Sequence, residues 1–420
     1  MDVFDRMESE VRGYCRSWPT VFTTAQGSHM TDENGKTYLD FFAGAGTLNY
    51  GHNNPGLKRR LLDFLAGDPV VHGLDMYTSA KREFLERFNE YVLAPRDLDY
   101  KVQFPGPAGN NSVEAALKLA RKYTGRETVV SFTNAFHGMT LGALAVTGNS
   151  MKRTGAGVPL GHGVAMPYDN YLDGRTPDFL LFETMLDDSG SGLDKPAAVI
   201  VETVQGEGGI NVATAEWLRG LQDLCHRQDI LLIVDDVQMG CGRTGPFFSF
   251  EEAGITPDIV CLSKSLSGYG LPFAITLMKR ELDVWEPGEH NGTFRGFNPA
   301  FITAVGALED YWTGDDFEKQ TLAKGQQVQA ALNEIAIAHA GAIDCVRGRG
   351  MAWGLVMKDP ETAPQVCGEA FARGLLMETS GPEGEVVKLL PPLTTTESEL
   401  ATGLEIIADS VEAVRQKITA

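Results

Sequence analysis

The sequence predicts an α/β protein, with a mostly parallel seven-stranded sheet in a large domain and a smaller α+β domain beside it. Three observations carry this expectation. Seven short apolar runs fall between residues 101 and 278, with helical patterns between them. Several of them, such as AAVIVE and LLIVDD, are apolar without alternation, as strands covered on both faces are. After residue 300 the pattern changes to long helices with few strands, and 420 residues exceed what a single core sustains.

Taken in order, the segment YLDFFAGAGTLNYGH at 38–52 reads as a strand and a turn, expected to pack with the C-terminal unit or at the junction between domains. The expected strands of the sheet are 101–104, 128–132, 163–166, 197–202, 231–235, 259–263 and 273–278. Between them, Val113, Ala116, Leu117 and Ala120 share one helical face, as do Trp217, Leu218, Leu221 and Leu224. Beyond the sheet come a helix with Val328, Leu332 and Ile335 on one side, two strands near 353–357 and 386–390, and a closing helix. The closing helix carries Leu400, Leu404, Ile407, Val411, Val414 and Ile418 at steps of three and four. These elements divide the chain into 1–49 (N-terminal part of the small domain), 50–310 (large domain) and 311–420 (C-terminal small domain).

Composition narrows the class. A hydrophobic fraction of 43% with 22% charged residues is that of a folded globular protein. The net charge of −20 argues against a nucleic-acid partner, because phosphate backbones are bound by clustered Lys and Arg. Six scattered cysteines form no C-x-x-C pair and have no metal-ligand spacing to histidine, so no metal site is expected and the thiols read as reduced. Residues 1–16 lack the apolar run of a signal peptide, and no stretch has the length of a membrane helix. A cytoplasmic protein with no membrane partner is the expectation.

Ligands of open α/β sheets gather at the carboxyl ends of strands. Here one strand ends in Asp235-Asp236, one in Ser263-Lys264-Ser265, and one in Glu202 followed by TVQGEGG. A lysine ending an apolar run, taken alone, reads as a snorkelling side chain. Together with its neighbours it reads otherwise. Desolvation lowers a lysine pKa, and a neutral amine condenses with an aldehyde. The aldehyde cofactor that fits is pyridoxal phosphate, whose ring nitrogen needs a carboxylate such as Asp235. Its phosphate needs a helix N-terminus, which GPAGNNSVEAALKLARK offers at Gly109, with Asn110 or Asn111 opening the helix and Glu114 placed for a capping box. Phe136 in NAFHG can stack on a ring, and His137 reads as a hydrogen-bonded structural histidine.

The motifs LLIVDDVQMGCGRTG, IVCLSKSLSGYGLP, VIVETVQGEGGI, NAFHGMTLGAL, HNGTFRGFNP and RGRGMAWG resemble, in order and spacing, the class III branch of fold-type I aminotransferases. The resemblance implies that Lys264 attaches the cofactor and moves the proton, that Asp235 serves the ring nitrogen, and that Gln238 contacts the phenolic oxygen. It further implies a phosphate turn at Gly109 and Asn110, a stacking Phe136, and pocket glutamates at Glu202 and Glu207. Thr293 matches a threonine that reaches the phosphate of a neighbouring subunit, which implies a homodimer with shared active sites, or a tetramer of two such dimers.

The implied reaction is ping-pong exchange of an amino group between amino-acid and oxo-acid substrates. An ω-aminotransferase of this class acting on acetylornithine, ornithine or γ-aminobutyrate is the nearest other reading, followed by the aminomutases that share this fold and a non-catalytic protein that has kept it. Ala45, Glu207 and Lys388 are the expected substrate contacts; Arg243 and Arg295 are candidates for further carboxylate contacts, each read first as solvent-facing or phosphate-proximal. Two positions depart from relatives acting on ornithine or γ-aminobutyrate: Met139 stands where those carry a carboxylate-binding arginine, and Lys388 stands where an arginine precedes PPL. Lysine keeps the charge but loses the bidentate fork.

Overall fold

The computed structural model describes residues 2–172 and 179–419, with side chains from Val3 through Lys417, so the Ile418 side chain lies outside the described residues. All seven expected strands are present and form one sheet. They are β1 (Tyr100–Gln103), β2 (Val129–Phe132), β3 (Gly163–Met166), β4 (Ala198–Val201), β5 (Leu231–Asp235), β6 (Ile259–Leu262) and β7 (Ile275–Lys279), in the spatial order β1-β7-β6-β5-β4-β2-β3. Only β7 runs against its neighbours β6 and β1; the other pairs are parallel. A strand buried on both faces is apolar in either direction, so the reversal of β7 leaves no trace in the hydrophobic pattern.

The reason for the unbroken apolar runs is visible in the packing. Val199, Val201, Leu232, Val234, Val260 and Leu262 face one core with Trp217, Leu218, Leu221 and Leu224 of the helix Ala215–Arg227. The alternate residues Ala198, Ile200, Ile233, Ile259 and Cys261 face a second core with Val113, Ala116, Leu117 and Ala120 of the helix Gly109–Thr124. Each strand therefore needs apolar residues at every position.

A second, antiparallel sheet joins Ile343–Arg349, Ala352–Met357, Val386–Leu389 and Glu378–Ser380 in that order. Its helices are Asp316–Ala338, Thr362–Ala372 and Glu397–Thr419, with Val328, Leu332, Val366, Leu400 and Ile407 in the core. Two of these strands were not expected. Ile343–Arg349 is half-exposed and carries three charges, and Glu378–Ser380 is three residues long. Near the N-terminus Phe22–Gln26, His29–Asp32 and Thr37–Asp40 form a meander, and Leu375–Leu376 pairs in parallel with Leu39 and Asp40. The early strand and turn thus pack on the C-terminal unit.

Arg243 corrects the expectation of a solvent-facing side chain: it is completely buried. Its guanidinium donates to the carbonyls of Met351 (3.1 Å) and Pro391 (2.5 Å) and to Asn49 Oδ1 (2.5 Å), tying three segments together. Burial pulls its pKa down to about 9. Arg295 binds Asn291 Oδ1 at 2.8 Å within its own loop.

Candidate active site

The turn after β6 begins at Lys264, which has φ of +49°, in the left-handed region that non-glycine residues enter at a cost of about 1–2 kcal/mol. The turn is held from both sides: Ser263 Oγ donates to the Phe273 carbonyl (2.8 Å), and Ser265 Oγ donates to the Gly46 carbonyl (2.9 Å). A strained lysine fixed by its neighbours at a strand end points to function. Burial lowers the Lys264 pKa; Glu207 opposes that shift and Lys388 adds to it.

Two strands away from β7, β5 presents Asp235. Its Oδ2 accepts from the Nδ1–H of buried His137 at 2.7 Å, and its Oδ1 accepts from the Val237 N–H at 3.2 Å. Burial works against a charge on His137, but the hydrogen bond to Asp235 and the nearby Glu202 raise its pKa overall. His137 is thus the hydrogen-bonded histidine expected, and its partner is Asp235 at the end of β5. Glu202, after β4, accepts the Phe136 N–H at 2.8 Å and is pushed up to about 8 by burial, with His137 opposing and Asp235 adding.

The helix Gly109–Thr124 aims its first turn at the same strand ends. A Cβ on Gly109 would lie 2.7 Å from Val237 Cγ1, so only glycine lets the helix end approach β5 this closely. The first-turn N–H groups of Gly109 and Asn110 lack intrahelical acceptors, as in any helix. The capping box placed on Glu114 is not formed. Asn111 Oδ1 instead accepts from the Ala108 N–H (3.1 Å), and Glu114 reaches away to Thr140 Oγ1 (2.5 Å) and the Ala143 N–H (3.0 Å).

Opposite the helix end lies a charged cluster. Lys388, fully buried on Val386–Leu389, pairs with Glu207 at 2.7 Å and with Glu378 at 2.9 Å. Burial opposes the charge on Glu207, yet Lys388 and Lys264 hold its pKa down at about 2. Lys388 itself is raised, because the two glutamates outweigh burial, while burial and Glu207 raise Glu378. Gln238 donates to Glu207 Oε1 (3.1 Å) and to the Ala45 carbonyl (3.0 Å). Ala45 sits in a tight turn at φ of +55°. Glu378 was missed in the sequence, where it is a lone acid in a short apolar run, though it pairs in register with Lys388.

Lys264, Asp235, Glu202, Glu207, Gln238, Phe136, Gly109, Asn110, His137 and Met139 line one cavity of about 250 Å³. Lys388 lies behind Glu207 rather than on this wall. Thr293 is not part of the wall either; it is exposed, and its carbonyl accepts from His72 Nε2 at 2.7 Å. Among the described residues no cluster of His, Cys, Asp and Glu could hold a metal ion.

The donor set fits pyridoxal phosphate: a desolvated amine for its aldehyde, a carboxyl held by a buried histidine for its ring nitrogen, an aromatic wall, and a helix N-terminus for its phosphate. No helix of the described residues is long and apolar enough to cross a membrane.

Comparison with known proteins agrees with this geometry. The chain is 66% identical over 412 residues to a diaminobutyrate–2-oxoglutarate transaminase of Streptomyces avermitilis, covering 98% of this chain and 97% of that one. It is 56% identical over 414 residues to the transaminase of the same name from Halalkalibacterium halodurans, covering 99% and 97%. Among solved structures, the ornithine aminotransferase of Toxoplasma gondii superposes with a TM-score of 0.85 at 24% identity, covering 100% of this chain and 95% of that one. A transaminase from the marine bacterium Virgibacillus gives 0.88 at 18% identity, covering 99% of each. These likenesses show the fold, which is that of the fold-type I aminotransferases. The model of the class-III aminotransferases matches residues 14–411, and with strand-end lysine, carboxyl and helix N-terminus all facing one cavity, the chain belongs to that family.

Proposed function

We propose that this enzyme moves the amino group of L-glutamate to L-aspartate 4-semialdehyde, giving L-2,4-diaminobutyrate and 2-oxoglutarate, reversibly and by a ping-pong route. The observation that carries the reading is the Lys264–Asp235 cavity in a chain 66% identical, over nearly all its length, to a diaminobutyrate–2-oxoglutarate transaminase. The same reading places it at the diaminobutyrate-forming step of ectoine synthesis, in the cytoplasm. Full-length identity to transaminases disfavours an internal amino shift.

When bound, pyridoxal phosphate supplies an aldehyde that takes up the amino group and a ring that accepts the electron pair left on the substrate carbon. The protein's part is positioning and proton transfer. Lys264 Nζ, its pKa lowered by burial, would attach the cofactor and, once displaced, would move the proton from the substrate carbon to the carbon that was the cofactor's aldehyde. Asp235, oriented by His137, would hold the ring nitrogen protonated. Gly109 and Asn110 would receive the phosphate, Phe136 would stack on the ring, and Gln238 would contact the phenolic oxygen. Glu207 and Lys388 act as one unit: the pair closes against diaminobutyrate and opens for the α-carboxylate of glutamate.

We read the assembly as a homodimer in which Thr293 completes the neighbouring site. Apolar side chains left open around it, Val70, Met76, Tyr77 and Phe294, support this. Single-turnover absorbance with a panel of amines tests the substrate assignment. Diaminobutyrate and glutamate should each convert the cofactor band, while ornithine and γ-aminobutyrate react at least about tenfold more slowly. Preference for either of the latter would refute the assignment.

A further inference from the structure

Resting on the substrates just proposed, we infer that Lys152 holds the far carboxylate that both of them share. Glutamate reacts at its α-carbon, and its side-chain carboxylate lies beyond two further carbons. Diaminobutyrate reacts at its γ-carbon, and its α-carboxylate also lies beyond two further carbons. One fixed cation therefore suits both substrates, whereas the carboxylate on glutamate's reacting carbon needs a separate partner.

The cations near Lys264 divide along these lines. No arginine lines the active-site cavity. Lys388 is fully buried and engaged by two glutamates, which suits a gate for the glutamate α-carboxylate. Lys152 is different. A second cavity of about 200 Å³ abuts the first, sharing Phe136 and Glu207 as common walls, and Lys152 lines it beside Asn149 and Ser150.

The Lys152 ammonium stands 4.2 Å from the centroid of the Phe136 ring, which steers it over the shared wall. Glu383 borders the same cavity, yet no ion pair joins it to Lys152 among the described residues. The backbone N–H of Lys152 is bound by Asn149 Oδ1 at 3.1 Å, so the short helix that carries it is anchored without the ammonium. Lys152 is thus a partly exposed cation in the adjoining cavity, held over the aromatic ring that the two cavities share, and no ion pair engages it among the described residues.

The test compares the holoenzyme with Lys152→Met and Lys152→Arg. Glutarate, a dicarboxylate without an amine, is titrated calorimetrically, and KM and kcat are measured for glutamate, diaminobutyrate and 1,3-diaminopropane, which is diaminobutyrate without its carboxylate. Lys152→Met should weaken glutarate and raise KM for both amino acids by about tenfold or more, with kcat little changed. Lys152→Arg should restore most of the loss, and kcat/KM for 1,3-diaminopropane should stay as in the wild type.

Unchanged glutarate affinity in Lys152→Met, or no glutarate binding by the wild type, overturns the inference. So does an equal loss with diaminobutyrate and with 1,3-diaminopropane. If the wild type uses neither amino acid, the proposed function fails, and the glutarate titration still decides the role of Lys152.

Discussion

Glu202 shows how one residue couples this site to pH. Its carboxyl is pushed up to about 8, chiefly by burial, while in the unfolded chain it titrates in the ordinary carboxyl range. Between those limits the folded state holds the extra proton. The stabilisation is therefore complete below the unfolded pKa and is lost as pH rises through about 8. Glu202→Gln keeps an acceptor for the Phe136 N–H without ionising. Its urea midpoint should gain on that of the wild type between about pH 5 and pH 8; midpoints that stay parallel would contradict the assignment. Lys264 and Asp235 were legible in the sequence because strand ends collect ligands and neither residue suits an apolar run. Glu378 was not, because its meaning comes from a cross-strand partner ten residues further on, and the link from His137 to Asp235 bridges 98 residues.

At the scale of elements, glycines decide which segments meet. A Cβ on Gly206 would lie 1.6 Å from Gln238 Oε1, inside the space that side chain occupies. Gly206→Ala should expel the Gln238 amide and break its bonds to Glu207 and the Ala45 carbonyl. Losing a charge-assisted hydrogen bond of about 1.5–3 kcal/mol predicts a fall in kcat/KM of about tenfold to a hundredfold. Circular dichroism should be unchanged, and steady-state kinetics reads the effect. The existence and rough limits of β1 to β7 were legible from apolar runs bounded by polar turns. The direction of β7 was not, nor were the short or half-exposed strands of the second sheet, where no hydrophobic face is long enough to show a period.

For the whole molecule, the surface is unevenly finished. Tyr77 is 100% exposed and Phe294 65%, and their segments are joined by the hydrogen bonds from His72 to the Thr293 carbonyl and from the Gly73 N–H to the Gly296 carbonyl. Exposed apolar side chains on these joined segments support the proposed homodimer, because such groups are covered when copies pair. Sedimentation should give twice 45.6 kDa, and Tyr77→Glu should shift the enzyme toward monomer with loss of cofactor; a wild-type monomer at micromolar concentration would contradict the shared site. The central claim is amino transfer through Lys264 between glutamate and the semialdehyde. Its most direct measurement follows nitrogen-15 from labelled L-glutamate, with aspartate 4-semialdehyde as acceptor, in the wild type and in Lys264→Ala. Label should appear at the γ-nitrogen of diaminobutyrate in the wild type, with the rate reduced by about 10²–10⁴ or more in the variant. Unlabelled diaminobutyrate, or equal transfer by Lys264→Ala, would contradict it.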